Sequence, residues 1–344
     1  MMRGPYGAPH FHLPDKKNIL TMATGQSEIP DSVLKRQRLM DRAFHATTAV
    51  AAGIVLILLV GIIISLFIGS WQALSTFGFG FVTTDAWNPV TEKFGALVPI
   101  YGTLVSSLIA IVIAVPISLG IAVFLTEVSP EWLRRPIGTA VELLAAIPSI
   151  IYGMWGLFLF APVLANHVQP WLQSTFGDTP VIGALFQGAP LGIGMLPAGI
   201  ILGIMIIPFI TAIMRDVFLT VPKFLKESAY GLGATTWEVV WNVVLPYTRM
   251  ATVGGIFLGL GRALGETMAI TFIIGNTHRL SASLFEPGNS IASTLANEFT
   301  EAVGDAHTSS LIALGLVLFL ITFIVLSLAK LLLMSLNQRS GKKS

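Results

Sequence analysis

The chain has no cysteine among its 344 residues, which excludes disulfides, thiolate chemistry and iron–sulfur ligation. Charge is scarce as well, at 11% of residues, and the mean hydropathy is +0.79. A single soluble core cannot hold so much apolar surface, so the composition places the chain in a bilayer. No hydrophilic stretch reaches the hundred or so residues of an ordinary soluble domain. The sequence also lacks a Gly-x4-Gly-Lys-Ser/Thr phosphate-binding loop, so any ATP that drives this protein must be hydrolysed by another polypeptide. No Ser/His/Asp grouping suggests hydrolysis, and the chain is not expected to be an enzyme. His10 and His12 sit in a tail with no frame around them, so no metal site is expected. A net charge of +2 gives no basic excess that would point to nucleic acid.

What the chain does have is long apolar runs. Six candidates for membrane spans are 47–68, 95–126, 137–164, 191–214, 250–275 and 309–336, each about the twenty residues that a hydrocarbon core requires or longer. Prolines at Pro99, Pro116, Pro148 and Pro208 predict tilts and kinks. The resulting layout is all-α and polytopic. It comprises a cytoplasmic tail over 1–45 with a short basic helix at 31–44, a first span and external loop over 46–94, a core over 95–336 and a C-terminal tail over 337–344. The tail lacks the apolar stretch of a cleavable signal.

Orientation follows from the basic residues. Of twenty, seventeen fall in the N-terminal tail, around Arg134 and Arg135, in 215–249 and at the C-terminus. Only Lys93 and Arg279 lie on the other side. The positive-inside rule therefore predicts cytoplasmic termini and a cytoplasmic 215–249 segment.

That segment is too polar for lipid and carries its own folding signals. Pro222 suits the first turn of a helix, with Thr220 in front as N-cap, and Lys223 to Tyr230 can form two turns. Gly231 and Gly233 supply positive-φ positions to end it. Thr235 and Glu238 have capping-box spacing, which predicts a second helix over 236–244 before Leu245-Pro246. Phe224, Leu225, Ala229 and Leu232 would form an apolar face that one short helix cannot bury alone. The segment is either a connecting hairpin at the interface or a docking element.

Two charges lie within the fifth run. Arg262 and Glu266 are four residues apart and would share one helix face. Charges inside a bilayer must face protein or water. They fit either an internal ion pair that fixes packing or an anion path in which Glu266 steadies the Arg262 fork. Gly255, Gly259, Gly261 and Gly265 have the small-x3-small spacing of close helix contacts. Glu142, near the inner end of the third run, is a partner for nearby basic groups or a further pathway residue.

Glu227, Ala229, Gly233 and Pro246 resemble the Glu-Ala-Ala…Gly signature of ABC importer permeases, with Ser228 at its second position. The run Gly261-Arg262-Ala263-Leu264-Gly265-Glu266-Thr267-Met268-Ala269 looks like the signature of phosphate ABC importer permeases, and its Met268-Ala269 ending resembles the PstC-type subunit. Phe94-Gly95-Ala96-Leu97, Tyr101-Gly102-Thr103-Leu104 and Ile147-Pro148-Ser149-Ile150-Ile151-Tyr152-Gly153 are similar to that subunit too, so the resemblance covers 77–336.

The resemblance implies a type I, MetI-like permease fold in the bacterial inner membrane. It also implies a coupling helix with Glu227, Ala229, Leu232, Gly233 and Pro246 at the ATPase contact, and a substrate pathway through Arg262, Glu266 and Glu142. The implied partners are a homologous PstA-type permease, two PstB-type ATPase copies that carry ATP and Mg, and an external PstS-type phosphate-binding protein. No cofactor is implied on this chain itself. From the residues alone the cargo is any tetrahedral oxyanion. A proton-coupled carrier using Glu266 or Glu142 and a regulatory membrane protein are the readings from other classes.

Overall fold

A computed structural model describes residues 31–180 and 182–341, so His10, His12 and the rest of the tail before residue 31 lie outside the described residues. The chain divides into two units, Met1–Ile62 and Ile63–Ser344. The described part of the first is most of helix α1, Asp31–Gly69, which has 39 residues. The expected short basic helix is not separate, because nothing in 31–44 stops a helix and the turns run straight into the apolar stretch. At about 1.5 Å per residue such a helix exceeds the roughly 30 Å hydrocarbon core. Its basic first turns, with Lys35, Arg36, Arg38 and Arg42 exposed, extend beyond the apolar section.

The second unit begins with two short helices, α2 Trp71–Phe77 and α3 Gly80–Thr83. A hairpin of β1 Trp87–Asn88 and β2 Lys93–Phe94 follows, paired antiparallel. Asn88 Oδ1 accepts from the amides of Val90 and Thr91 at 2.9 and 3.2 Å, so an asparagine side chain builds the turn. Helix α4, Leu97–Val123, continues through a π-helical turn, Phe124–Val128. The amphipathic α5, Glu131–Ala145, comes next. A third span, Ser149–Phe176, opens with α6 Ser149–Trp155 and closes with α7 Ala161–Val163 and α8 Gln169–Phe176, with π turns between. Helix α9 is Met195–Leu219. The polar segment holds α10 Lys223–Gly231 and α11 Thr236–Val239. Then come α12 Leu245–Leu264, α13 Met268–Thr271, α14 Ile291–Glu298 and α15 Asp305–Gly341.

Six helical stretches are long and apolar enough to cross a membrane, as predicted, but their bounds differ, most of all in the third and the fifth. Residues 137–148 belong to α5 and the break after it, because Pro148 disfavours helix at the residue before it. The third span therefore starts at Ser149. The fifth runs over Thr236–Leu264 and is not interrupted at Leu245-Pro246. A π turn at Val240–Val244 absorbs the donor missing at Pro246.

Packing centres on α4 against α9. Small residues along α4, from Ser106 through Ala110, Ala114 and Ser118 to Ala122, are buried and let α9 approach. Ser118 donates to the Ile207 carbonyl across the contact at 3.0 Å. Helix α12 meets α9 where Gly255 and Gly259 leave room for Ile213 and Ile210. Gly261 and Gly265 have no backbone or side chain pressed so closely, so the close-contact pair is the earlier one. Because each span crosses once, the molecule has a loop end, with α5 and α10, and a hairpin end, with β1–β2, α14 and the start of α15.

Candidate functional site

At the loop end the chain turns tightly from α9 into α10. The N-cap of α10 is Pro222 itself, not Thr220. Thr220 closes α9, where its hydroxyl donates to Val217 at 2.7 Å. Gly231 stays helical, Leu232 is the C-cap and only Gly233 has positive φ, at 90°. One left-handed residue suffices to reverse the chain, so the second glycine is not needed for it. The capping box then forms as the spacing predicts. Glu238 N donates to Thr235 Oγ1 at 3.4 Å, and Thr235 N donates to Glu238 Oε2 at 2.8 Å.

The apolar face of α10 divides in two. Leu225 and Ala229 are half-buried, and Ala229 packs against the main core. Lys226 anchors the helix to the end of α4 through Glu127, at 2.6 Å. Phe224 and Leu232 point outward, and Leu232 is 91% exposed. Glu227 and Gly233 are exposed beside them, as is Pro246 further along. A side chain added at Gly233 would meet no atom of this chain within 4 Å. Thus α10 is fixed on one side and open on the other.

Arg262 lies in the last turn of α12, exposed, with its guanidinium carbon 5.4 Å from the ring centre of Phe209. Phe209 is near the middle of α9, so the cation stands at mid-span. The helix ends two residues later, with Gly265 as C-cap. Glu266 therefore does not share a face with Arg262, and no salt bridge joins them among the described residues. The Glu266 carboxylate instead accepts from the Ala269 amide at 3.2 Å and caps α13, where a carboxylate suits the free N–H groups of a helix start. A helix break stands where the spacing predicted either an ion pair or a Glu266 that steadies the Arg262 fork. Non-helical backbone at membrane depth persists only where protein covers it or it lines a polar path. Here Gly153 of α6 lies against α13, with Ala269 Cα and the Met268 carbonyl 3.0 Å from where a Cβ would sit.

Tyr152, within the 147–153 motif, lies next to that glycine. Its hydroxyl donates to the Leu144 carbonyl at 2.9 Å and ties α6 to α5 across the Pro148 break. Glu142, on α5, pairs with Arg215 of α9 at 2.6 Å, not with Arg134 or Arg135. Arg215 also binds Asp216 at 2.8 Å. The pair with Glu142 could not be read from spacing, since 73 residues separate Glu142 from Arg215.

At the hairpin end, Glu298 of α14 accepts from Trp87 Nε1 at 2.7 Å. His278 and His307 reach its two oxygens at 2.8 and 3.1 Å. Burial alone would raise this carboxyl, but hydrogen bonds from His278, Trp87 and His307, with the charge of His278, hold it below the usual carboxylate range. Glu298 is therefore partly buried and bonded rather than solvated. Both imidazoles aim at the carboxylate and share no centre. Among the described residues no group has the arrangement of a metal site. The sequence motif at 101–104 seats this layer, because Thr103 Oγ1 accepts from Ile291 N at 2.9 Å and Gly102 leaves space for the Asn289 carbonyl.

A membrane-spanning bundle with an outward-facing loop helix and a lone cation at a mid-span break defines a transport component. The chain belongs to the family of binding-protein-dependent transport system inner membrane components, whose model matches residues 114–337. Within that family it is 63% identical over 311 residues to the phosphate transport system permease protein PstC of Mesorhizobium japonicum, covering 90% of this chain and 95% of that protein. It is 60% identical to PstC of Pasteurella multocida, covering 89% and 95%. The fold also matches a chain in the crystal structure of a bacterial ABC transporter involved in alginate import. The TM-score is 0.56 at 17% identity, over 88% of this chain and 98% of that one, which makes this a type I importer permease fold.

Proposed function

We propose that the chain is the permease subunit of an ATP-driven importer of inorganic phosphate and forms half of its translocation path. In this reading the loop end and both termini face the cytoplasm. A PstA-type permease completes the path, two ATPase copies dock at α10, and an external phosphate-binding protein delivers cargo at the hairpin end. ATP and Mg belong to the ATPase. Arg262 contacts the anion in transit, Glu266 holds the break open by capping α13, and Glu142 braces Arg215 beside the path.

The observation that carries this reading is mechanical continuity. Helix α11 and Arg262 share one helical span, Thr236–Leu264, and α10 joins α11 through the short turn at Gly233, so a push on the coupling segment is passed to the cation along that span. Arg262 has no carboxylate partner among the described residues and keeps its charge and its forked donors for a tetrahedral oxyanion. A guanidinium accepts any such oxyanion, and the names of the relatives supply phosphate.

The test is uptake into vesicles by the complex purified around the full chain. Phosphate accumulation should need ATP and vanish in Arg262→Gln while the subunits still co-purify. Uptake driven by a proton gradient without ATP would replace this reading with a secondary carrier. Loss of assembly in Arg262→Gln would return Arg262 to a packing role.

A further inference from the structure

The loop end holds a second group of cations that the transport path does not use. Helix α5 presents Arg134 and Arg135 into a cleft of about 350 Å3 that is also lined by the Arg215–Glu142 pair and by the apolar Leu125 and Leu219. The same two arginines, with Trp132, line an adjoining recess of about 510 Å3. Their surroundings differ from those of Arg215. Arg215 is neutralised by Glu142 and Asp216. Arg134 makes one side-chain hydrogen bond, to the Ser129 carbonyl at 3.2 Å, and its Nε is buried without a partner. Arg135 has no hydrogen bond or ion pair among the described residues. Glu131 lines the recess without bonding either.

Two neighbouring guanidinium groups with an unfilled buried donor call for an anion with several acceptor oxygens. We propose that Arg134 and Arg135 form a phosphoryl-binding cleft, occupied by the phosphodiester headgroup of an anionic phospholipid. Three features favour a lipid. The cleft lies where α4 and α9 end, at headgroup level. Part of its lining is apolar, as an acyl chain requires. Trp132 is 76% exposed beside it, with Leu143 and Leu144 also exposed further along α5, so α5 has the aromatic, apolar and basic surface of a helix lying in a membrane interface. Basic pockets between spans at this level suit phospholipid headgroups. The outward face of α10, with Phe224 and Leu232, is a separate surface that contributes no residue to the cleft.

The experiment uses the full chain with its co-purifying subunits in discs of equal phosphatidylglycerol and phosphatidylcholine, with retained lipids counted by native mass spectrometry. Phosphatidylglycerol should be retained in preference, and the preference should fall by roughly ten-fold in Arg134→Gln/Arg135→Gln. A control pair, Lys223→Gln/Arg249→Gln, removes the same charge from exposed positions at the same end and should leave the preference unchanged. Displacement of the lipid by millimolar inorganic phosphate that binds in its place, and not in the Arg134/Arg135 variant, would keep the phosphoryl site and assign it to the free ion. No preference in the wild type, an equal fall in both variants, or loss of the ATPase from the Arg134/Arg135 variant with lipid retention unchanged would each overturn the proposal.

Discussion

Arg215 and Arg262 both stand on spans that pack against each other, α9 and α12, and their surroundings are opposite. Arg215 is wrapped by two carboxylates, Glu142 at 2.6 Å and Asp216 at 2.8 Å. Gly138 of α5 leaves space for its guanidinium, with Arg215 Nη1 2.8 Å from where a Cβ would sit. Arg262 has no ion pair among the described residues and rests on the face of Phe209 at 5.4 Å, and its expected partner Glu266 has turned away to cap α13. A cation saturated by fixed anions cannot hold a mobile one, whereas a cation resting on an aromatic ring keeps its donors free. One arginine therefore locks α5 to α9, and the other keeps the donors that the proposed path would offer to cargo. The same contrast separates the two faces of α10, where Lys226 is paired and Leu232 is bare.

The largest effect that would test this contrast is at Arg262. Substitution by Gln should reduce ATP-dependent phosphate uptake by roughly 100-fold or more, because about two charge-assisted hydrogen bonds of about 1.5–3 kcal/mol each are lost. Arg262→Lys keeps the charge without the fork and should fall between. If Arg215→Gln stopped uptake as completely as Arg262→Gln while the fold and assembly survived, the division of roles would be wrong.

Next in size is Gly233. With φ at 90°, any side chain there costs about 1–2 kcal/mol of backbone strain, but the space around it is open on this chain. Gly233→Ala should lower stability modestly and leave the ATPase attached. Gly233→Trp should fold nearly as well yet release the ATPase, as co-purification would report. Equal retention of the ATPase in both variants would deny that this face is a docking surface.

These two sites also mark what could be read without coordinates. The polar segment was legible because its signals are local: Pro222, the Gly233 turn and the Thr235–Glu238 box act within one or two turns, and all of them operate, though Pro222 caps and Gly231 does not turn. The six spans were legible from apolar length alone. The third was placed too early because Leu143, Leu144 and Ile147 continue its apolar run. Only Pro148 and the charges Arg134, Arg135 and Glu142 signal that α5 is a separate interfacial helix. The break after Arg262 was not legible, since Gly265 interrupts helices weakly and α13 owes its place to Gly153 on another span. The Arg215–Glu142 pair and the Glu298 cluster depend on residues distant in sequence, which no periodicity brings together.

A smaller effect should follow Glu142→Gln. The carboxylate is half exposed, with side-chain exposure of 53% against 17% for Arg215, so the pair contributes at most about 1 kcal/mol. Uptake should persist and the melting temperature should drop by about one degree. Release of Arg215 into the cleft beside Arg134 should also strengthen phosphatidylglycerol retention. A complete loss of uptake would instead make Glu142 part of the path.

The smallest effect, visible only in acid, belongs to Glu298, the carboxylate that gathers three donors at the hairpin end. Its folded-state pKa lies below the ordinary value of 4.5, so the folded protein favours the charged form. The resulting stability is complete above that ordinary value and is lost as pH falls through the depressed one. Glu298→Gln removes the charge at every pH. The melting-temperature difference between wild type and Glu298→Gln should therefore be present at about pH 5 and shrink below about 4.5. Thermal melts across that range measure it. A difference that did not change with pH would mean that Trp87, His278 and His307 hold the side chain by shape and not by its charge, and Glu298 would then stand apart from the paired class that Arg215 represents.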